Sequence, residues 1–422
     1  MNAKTRLVFL TGKRSFILIV WMFICLFASS CSMKKNNGPD FSELVTFSGQ
    51  QLELLAENTE KILESGNNVN RQGRLLVVPR NLNEDGTLRL IPSRDWVSGF
   101  FPGSLWLMYQ YTGLPRWKSL AEKYTLRLEN EKYTTTTHDL GFMMGCSFGK
   151  GYELTGNPAY RDVLIQSARS LITRYNPVVG AIRSWDHNSD KWQYPVIIDN
   201  MMNLELLFWA SRVTGDPIFS EIAVKHAQTS LASHYRNDFS SYHVIDFDTI
   251  TGEIRNKHTH QGLHHESAWA RGQAWGLYGF TMTYRETGMA EFLNIAERIA
   301  DFYLSHPNLP EDLIPYWDFN VEPGQGEPRD VSAAAITASA LFELGSFIPG
   351  KKQFYHEKAS AMLASMANKY RSAPGGNQGF ILAHSTGHKP HNSEVDVPIM
   401  YADYYFLEAL GRKNNLDKSN NN

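Results

Sequence analysis

Two aspartates stand where a pair of carboxyl groups is readily built. Asp139 lies in Thr137-His138-Asp139-Leu140-Gly141-Phe142 after four threonines, and Asp199 lies in Tyr194-Pro195-Val196-Ile197-Ile198-Asp199-Asn200-Met201-Met202-Asn203. Each precedes a helical pattern, so one reading is that each accepts hydrogen bonds from free helix amides. A capping carboxylate has a depressed pKa, which is wrong for a general acid. Two carboxylates sharing one site escape that limit, because they cannot both ionise cheaply and one pKa rises. An Asp139–Asp199 pair would hold a proton near neutral pH and serve acid–base catalysis.

A third constellation runs from Lys257 to Gly276 and holds His258, His260, His264 and His265, then Trp269, Arg271 and Trp275. Four histidines in eight residues raise the question of a metal, yet no HExxH pattern or cysteine accompanies them. The other reading is a polar loop feeding a helix. There Trp269 and Trp275 offer stacking faces or core packing, and Arg271 offers the planar fork that grips a carboxylate.

The elements that must position these groups are signalled by a recurring turn. Thr112-Gly113-Leu114-Pro115-Arg116-Trp117, Thr155-Gly156-Asn157-Pro158-Ala159-Tyr160 and Thr214-Gly215-Asp216-Pro217-Ile218-Phe219 share one pattern, with degenerate copies at Thr287 to Phe292 and from Leu344-Gly345 to Phe354. Glycine just past a helix end takes the left-handed conformation, and proline two residues on suits the first turn of the next helix. The aromatic then packs across the turn, giving antiparallel helical hairpins. Five turns make ten helices. An amphipathic helix over about 41–64 and another over about 395–411 bring the total to twelve, so the fold expected is all-α. If the first and last pair, the ring closes as an (α/α)6 barrel; an open superhelical array is the rival. Strand-like alternation is confined to about 241–256.

Composition narrows the partners. The chain has 422 residues, 42% of them apolar, enough for a large core; 41 basic residues face 43 acidic ones, and no Lys/Arg run exceeds a pair. That balance argues against a nucleic-acid footprint. Residues 1–14 are basic, and the twelve-residue apolar run from Phe16 to Phe27 suits a signal peptide rather than a membrane span, which needs about 20 residues. Ala28-Ser29-Ser30-Cys31 followed by a polar stretch resembles the lipobox of bacterial lipoproteins. The expected organisation is therefore a signal peptide over 1–30, a lipidated Cys31 opening a tether over 31–39, one catalytic domain over 40–412, and a polar tail over 413–422. The expected address is the periplasmic face of a membrane, touched only through the lipid. Export removes four basic residues and no acid, leaving 37 against 43 and a formal charge of −6. An anionic substrate must then be gathered by local cations.

Taken together, these residues resemble the unsaturated glucuronyl hydrolases of glycoside hydrolase family 88. The likeness rests on Asp95-Trp96-Val97-Ser98-Gly99-Phe100-Phe101-Pro102-Gly103, His138-Asp139-Leu140-Gly141-Phe142, Ile198-Asp199-Asn200-Met201-Met202-Asn203, Thr259-His260-Gln261-Gly262 and Trp269-Ala270-Arg271-Gly272-Gln273. It implies an (α/α)6 barrel, no metal and no cofactor. It also implies hydrolysis of lyase-generated oligosaccharides that carry a 4,5-unsaturated uronic acid at the non-reducing end. Such enzymes hydrate the vinyl ether, with protonation at C4 and water addition at C5, and the hemiketal then expels the remaining chain. Carried over by position, Asp199 is the acid and Asp139 the partner that holds its pKa up. Trp96, His138, His243, His260, Gln261, Trp269, Arg271 and Trp275 line the subsite. In the C-terminal loop, Ser385, His388 and Lys389 offer donors to a sulfate. Two rival readings stay open: an unsaturated rhamnogalacturonyl hydrolase acting on pectin fragments, and a non-catalytic glycan-binding lipoprotein.

Overall fold

A computed structural model describes residues 40–421, apart from 67 and 325. The signal peptide, Cys31 and the tether fall outside the described residues.

Helix α1 (Phe41–Glu64) starts at Asp40, whose carboxylate accepts from the Ser42 amide. A hairpin of β1 (Val78–Leu82) and β2 (Leu88–Ile91) follows. This hairpin departs from the sequence expectation: only four or five residues form each strand, too few for alternation to register, though Asp85-Gly86 marks its turn. The chain continues through α2 (Phe100–Thr112), α3 (Pro115–Leu126) and α4, which runs in wide π turns over Gly141–Gly149 and then as Lys150–Thr155. Next come α5 (Pro158–Ile172), a short pair β3 (Tyr175–Asn176) and β4 (Ala181–Ile182), and β5 (Pro195–Ile197). A tight helical turn over Ile198–Asn203 leads into α6 (Leu204–Thr214), then α7 (Ile218–His234). Strands β6 (Val244–Phe247) and β7 (Ile254–His258) join β5 in an antiparallel sheet. The remaining helices are α8 (Ala270–Thr287), α9 (Ala290–Ser305), α10 (Val331–Phe347), α11 (Lys352–Ser365) and α12 (Met400–Asn421). The last begins later than expected and absorbs the polar tail, because Gly411 sits inside the helix rather than ending it.

The even-numbered helices form a closed inner ring: α2 packs on α4, α4 on α6, α6 on α8, α8 on α10, α10 on α12, and α12 returns to α2. The odd-numbered helices lie outside, so the fold is the (α/α)6 barrel. Burial follows from this placement. Residues 270–283 of α8 are all buried, whereas α9 buries one face through Phe292, Ile295, Ala296, Ile299, Ala300 and Tyr303. Helix α1 joins by its own contacts rather than as a hairpin with α12. Its Phe41 ring meets Tyr111 at 5.5 Å, the Tyr111 hydroxyl donates to the Leu407 carbonyl of α12, and Gln51 donates to the Phe380 carbonyl.

The turns obey their local chemistry. Gly113, Gly156, Gly215 and Gly288 are left-handed, and Trp117, Tyr160, Phe219 and Phe292 are buried behind them. At each turn the threonine hydroxyl bonds the carbonyl four residues back and accepts the amide two residues on. The fifth copy is corrected. Gly345 lies within α10 against the His356 ring, the turn is made at Ile348-Pro349-Gly350, and Tyr355 rather than the exposed Phe354 is the buried aromatic.

Candidate active site

The two aspartates reach the same cavity, of about 520 Å³, from the starts of adjacent inner helices. Neither carboxylate caps its helix. That task falls to Asn203, whose side-chain oxygen accepts the Phe142 amide at 2.9 Å and so ties the start of α4 to the approach to α6. A Cβ on Gly141 would lie 2.5 Å from the Asn203 Cα, so only glycine allows this approach.

The surroundings of the two groups differ. Asp139 meets His138 Nε2 at 3.2 Å and accepts from the Thr137 hydroxyl. Burial would raise its pKa, but His138, Thr137 and the charge of Arg174 outweigh it and hold the group below the usual carboxylate range. Asp199 Oδ2 is buried without a hydrogen-bond partner. Burial pushes the Asp199 pKa up to about 6 against the opposing pull of His138 and Arg271, with repulsion from Asp139 adding a smaller push. Desolvation, more than the like-charge pairing expected from sequence, therefore keeps this proton.

His243 stands behind Asp199 rather than in the cavity wall. Its Nδ1 accepts the amides of His260 and Gln261, both at 3.2 Å, which places the proton of the neutral ring on Nε2. That nitrogen lies 3.6 Å from Asp199 Oδ2. Burial drives the His243 pKa far down, so a neutral ring faces Asp199 at a distance too long for a hydrogen bond.

Trp96, His138, His260, Gln261 and Arg271 do line the cavity. Arg271 is not a free fork. One terminal nitrogen donates to Asp330 Oδ2 at 2.7 Å and the Thr386 carbonyl at 2.6 Å, and the other to the Gly387 carbonyl at 2.6 Å. Its Nε–H is left without a partner, and the guanidinium sits between the Trp269 and Tyr401 rings at 4.6 and 5.3 Å. Trp269 is thus a buried support, packed on His243 at 4.5 Å. Trp275 lies in the core between Phe142 and Tyr405, because a residue six positions into an inner helix faces the barrel interior. Ser385 is buried, its backbone paired with Val397, and Lys389 lies outside the cavity lining.

Other lining groups carried no sequence signal that singled them out: Trp185, Asp186, His187, Arg80, Arg89, Arg94, Glu394 and Tyr401. Four arginines thus face four carboxylates around the cavity. Arg80 pairs with Asp95 at 2.5 Å and with Glu394, which also takes Arg89 at 3.1 Å. Arg94 is exposed and has no ion pair among the described residues. Burial and neighbouring imidazoles lower the pKa of His260 to about 4 and of His388 to about 3, so neither adds charge at neutral pH.

A sugar-sized cavity at one end of a closed helical ring, with a protonatable carboxyl group beside an ionised one, belongs to a glycosidase. More narrowly, the chain is a member of glycoside hydrolase family 88, whose model matches residues 80–409. It is 52% identical to an unsaturated glucuronyl hydrolase of Formosa agariphila over 328 residues, which span 77% of this chain and 82% of that protein. It is 33% identical to an unsaturated chondroitin disaccharide hydrolase of Streptococcus pneumoniae over 78% of this chain and 84% of that one. Among solved structures, an unsaturated glucuronyl hydrolase specific for heparin superposes with a TM-score of 0.82 at 45% identity, covering 89% of this chain and 98% of the other.

Removing the Asp330 carboxylate leaves the buried Arg271 charge unmatched. We expect Asp330→Ala to lower unfolding stability by about 3–5 kcal/mol in denaturant titrations. A loss below about 1 kcal/mol would show that the pair does not hold the loop.

Proposed function

We propose that the protein removes the 4,5-unsaturated uronic acid from the non-reducing end of lyase-generated glycosaminoglycan oligosaccharides by hydrating its vinyl ether. The observation that carries this is Asp199, buried with no hydrogen-bond partner on Oδ2, in one cavity with Asp139. Burial pushes the pKa of the first up to about 6, while His138 and Thr137 hold that of the second below the usual range. The names of the relatives, glucuronyl and chondroitin disaccharide hydrolases and a heparin-specific enzyme, support the substrate class.

In the reaction, Asp199 gives its proton to C4, and positive charge develops at C5 and the ring oxygen. The resulting carboxylate takes a proton from the water that adds to C5, which restores the acid. The C5 hemiketal then opens and releases the aglycone, with one water consumed. Ionised Asp139 stabilises the developing cation and orients the sugar. The substrate carboxylate approaches the unpartnered Nε–H of Arg271, while Arg94 supplies the uncompensated positive charge at the cavity mouth. Trp96 offers an aromatic face to the ring.

The substrate supplies its own chromophore. In oxygen-labelled water, lyase-digested hyaluronan, chondroitin or heparin should lose the absorbance of the C4=C5 bond, with the label at C5. Loss with pectin fragments alone would transfer the protein to the rhamnogalacturonyl reading, and no loss at all would leave a glycan binder. Because Asp199 acts in its protonated form, kcat/KM should hold below about pH 6 and fall about tenfold per unit above it. Asp199→Asn should abolish turnover and keep substrate binding; wild-type rates in that variant would exclude Asp199 as the acid.

We further propose that the chain is a lipoprotein anchored through Cys31 and facing the periplasm, a reading supported by the residue pattern of 1–39. Metabolic labelling with a fatty acid should mark the wild type and not Cys31→Ala; equal labelling would exclude this anchor.

A further inference from the structure

The histidines of the 258–265 run do not gather among themselves into a ligand set. Instead His260 meets two histidines from the C-terminal loop. Its ring stands 4.7 Å from that of His388 and 5.3 Å from that of His391, both nearly edge-on, while His388 and His391 stack at 4.0 Å. One nitrogen from each ring falls within 4.8 Å of the other two. Both ring nitrogens of His388 are buried and have no hydrogen-bond partner among the described residues. A neutral imidazole with a buried, unsatisfied acceptor is costly unless something fills it.

The backbone holds this arrangement in place. His388 and His391 bracket a single helical turn, Lys389–His391. His388 and Ser393 exchange both backbone hydrogen bonds, at 2.9 and 3.1 Å, and the Gly387 amide donates to the Glu394 carbonyl at 2.7 Å. Glu394 is in turn clamped by Arg80 and Arg89. His260 is placed independently, its amide held by His243. The three ligands therefore come from two braced segments, and only His391 is exposed and free to adjust.

We propose that His260, His388 and His391 form a binding site for a divalent transition-metal ion of the zinc class, on the wall of the substrate cavity. Imidazole suits such ions, with metal–nitrogen distances of about 2.0–2.1 Å. Tetrahedral geometry then needs nitrogens about 3.3 Å apart, so the exposed His391 must turn out of its stack on His388 to bring its lone pair onto the ion. Three protein ligands leave a fourth position for water or an oxygen of a bound anion. Because His260 and His388 both line the cavity, the ion and the sugar beyond the scissile bond occupy the same wall. The ion is a competitor for substrate, and Asp199 and Asp139 perform the hydration without it. This competition rests on the function proposed above, whereas binding itself does not.

The test uses the chelator-treated mature chain with Zn²⁺ in calorimetry and Co²⁺ in visible spectroscopy. One ion should bind, with the strong visible bands of tetrahedral Co²⁺. His388→Ala and His391→Ala should each weaken binding at least tenfold, and His264→Ala, altered in the neighbouring exposed run, should not. Absence of binding, or binding equal in all three variants, would overturn the site. Zn²⁺ should raise KM for an unsaturated disaccharide in the wild type, with kcat retained, and not in His391→Ala. An unchanged KM with the site occupied would overturn the competition. If no disaccharide is turned over, the Co²⁺ spectrum still decides the site.

Discussion

The buried ion pair of Arg271 and Asp330 organises the catalytic end of the barrel. Its two members start neighbouring inner helices, α8 and α10, and two further donors of Arg271 seize the carbonyls of Thr386 and Gly387. Taking two charges out of water is costly, and the cost is offset only when their hydrogen-bonding capacity is met. Here Asp330 also accepts from the Ser332 amide and hydroxyl, and the guanidinium faces two aromatic rings. The pair thus specifies where a long loop lies. Through that loop it places His388, Ser393 and Glu394 on the cavity wall. Three of its five N–H groups are taken by Asp330, Thr386 and Gly387, so Nε–H and one hydrogen of the second terminal nitrogen are left for an incoming anion.

Within that frame, identical side chains acquire different proton affinities. Asp139 lies beside His138, Thr137 and the field of Arg174, and its charged form prevails. Asp199 has no donor on its buried oxygen, His243 lying 3.6 Å away, and burial pushes its pKa up to about 6, so its proton is held further toward neutral pH. Mutual repulsion contributes little beside the loss of water. An acid maintained chiefly by burial stays an acid only while the cavity remains closed to bulk solvent around it.

How legible this was in the sequence differs by feature. The hairpin turns were readable because Thr-Gly-x-Pro acts within a few residues: glycine relieves the left-handed strain and proline preorganises the next helix. The fifth turn was misplaced because Gly345 matched the pattern while Pro349-Gly350 did the work of reversal. The β1–β2 hairpin was missed because its strands are too short to show a period. The motif residues around Asp139 and Asp199 were conspicuous, yet their spacing did not reveal that Asn203, rather than either carboxylate, accepts the Phe142 amide of α4.

By itself the sequence determined the helical-hairpin repeat and the count of twelve helices, because both are encoded by local propensity and short-range turns. Only the tertiary structure decided closure of the ring, the burial of Trp269 and Trp275, the diversion of Arg271 into an ion pair, and the meeting of His260 with His388 and His391. Those outcomes depend on contacts such as that of Gln261 with Gly387, 126 residues apart. No local period records such a contact, since it exists only once separate helices have packed and excluded water between them.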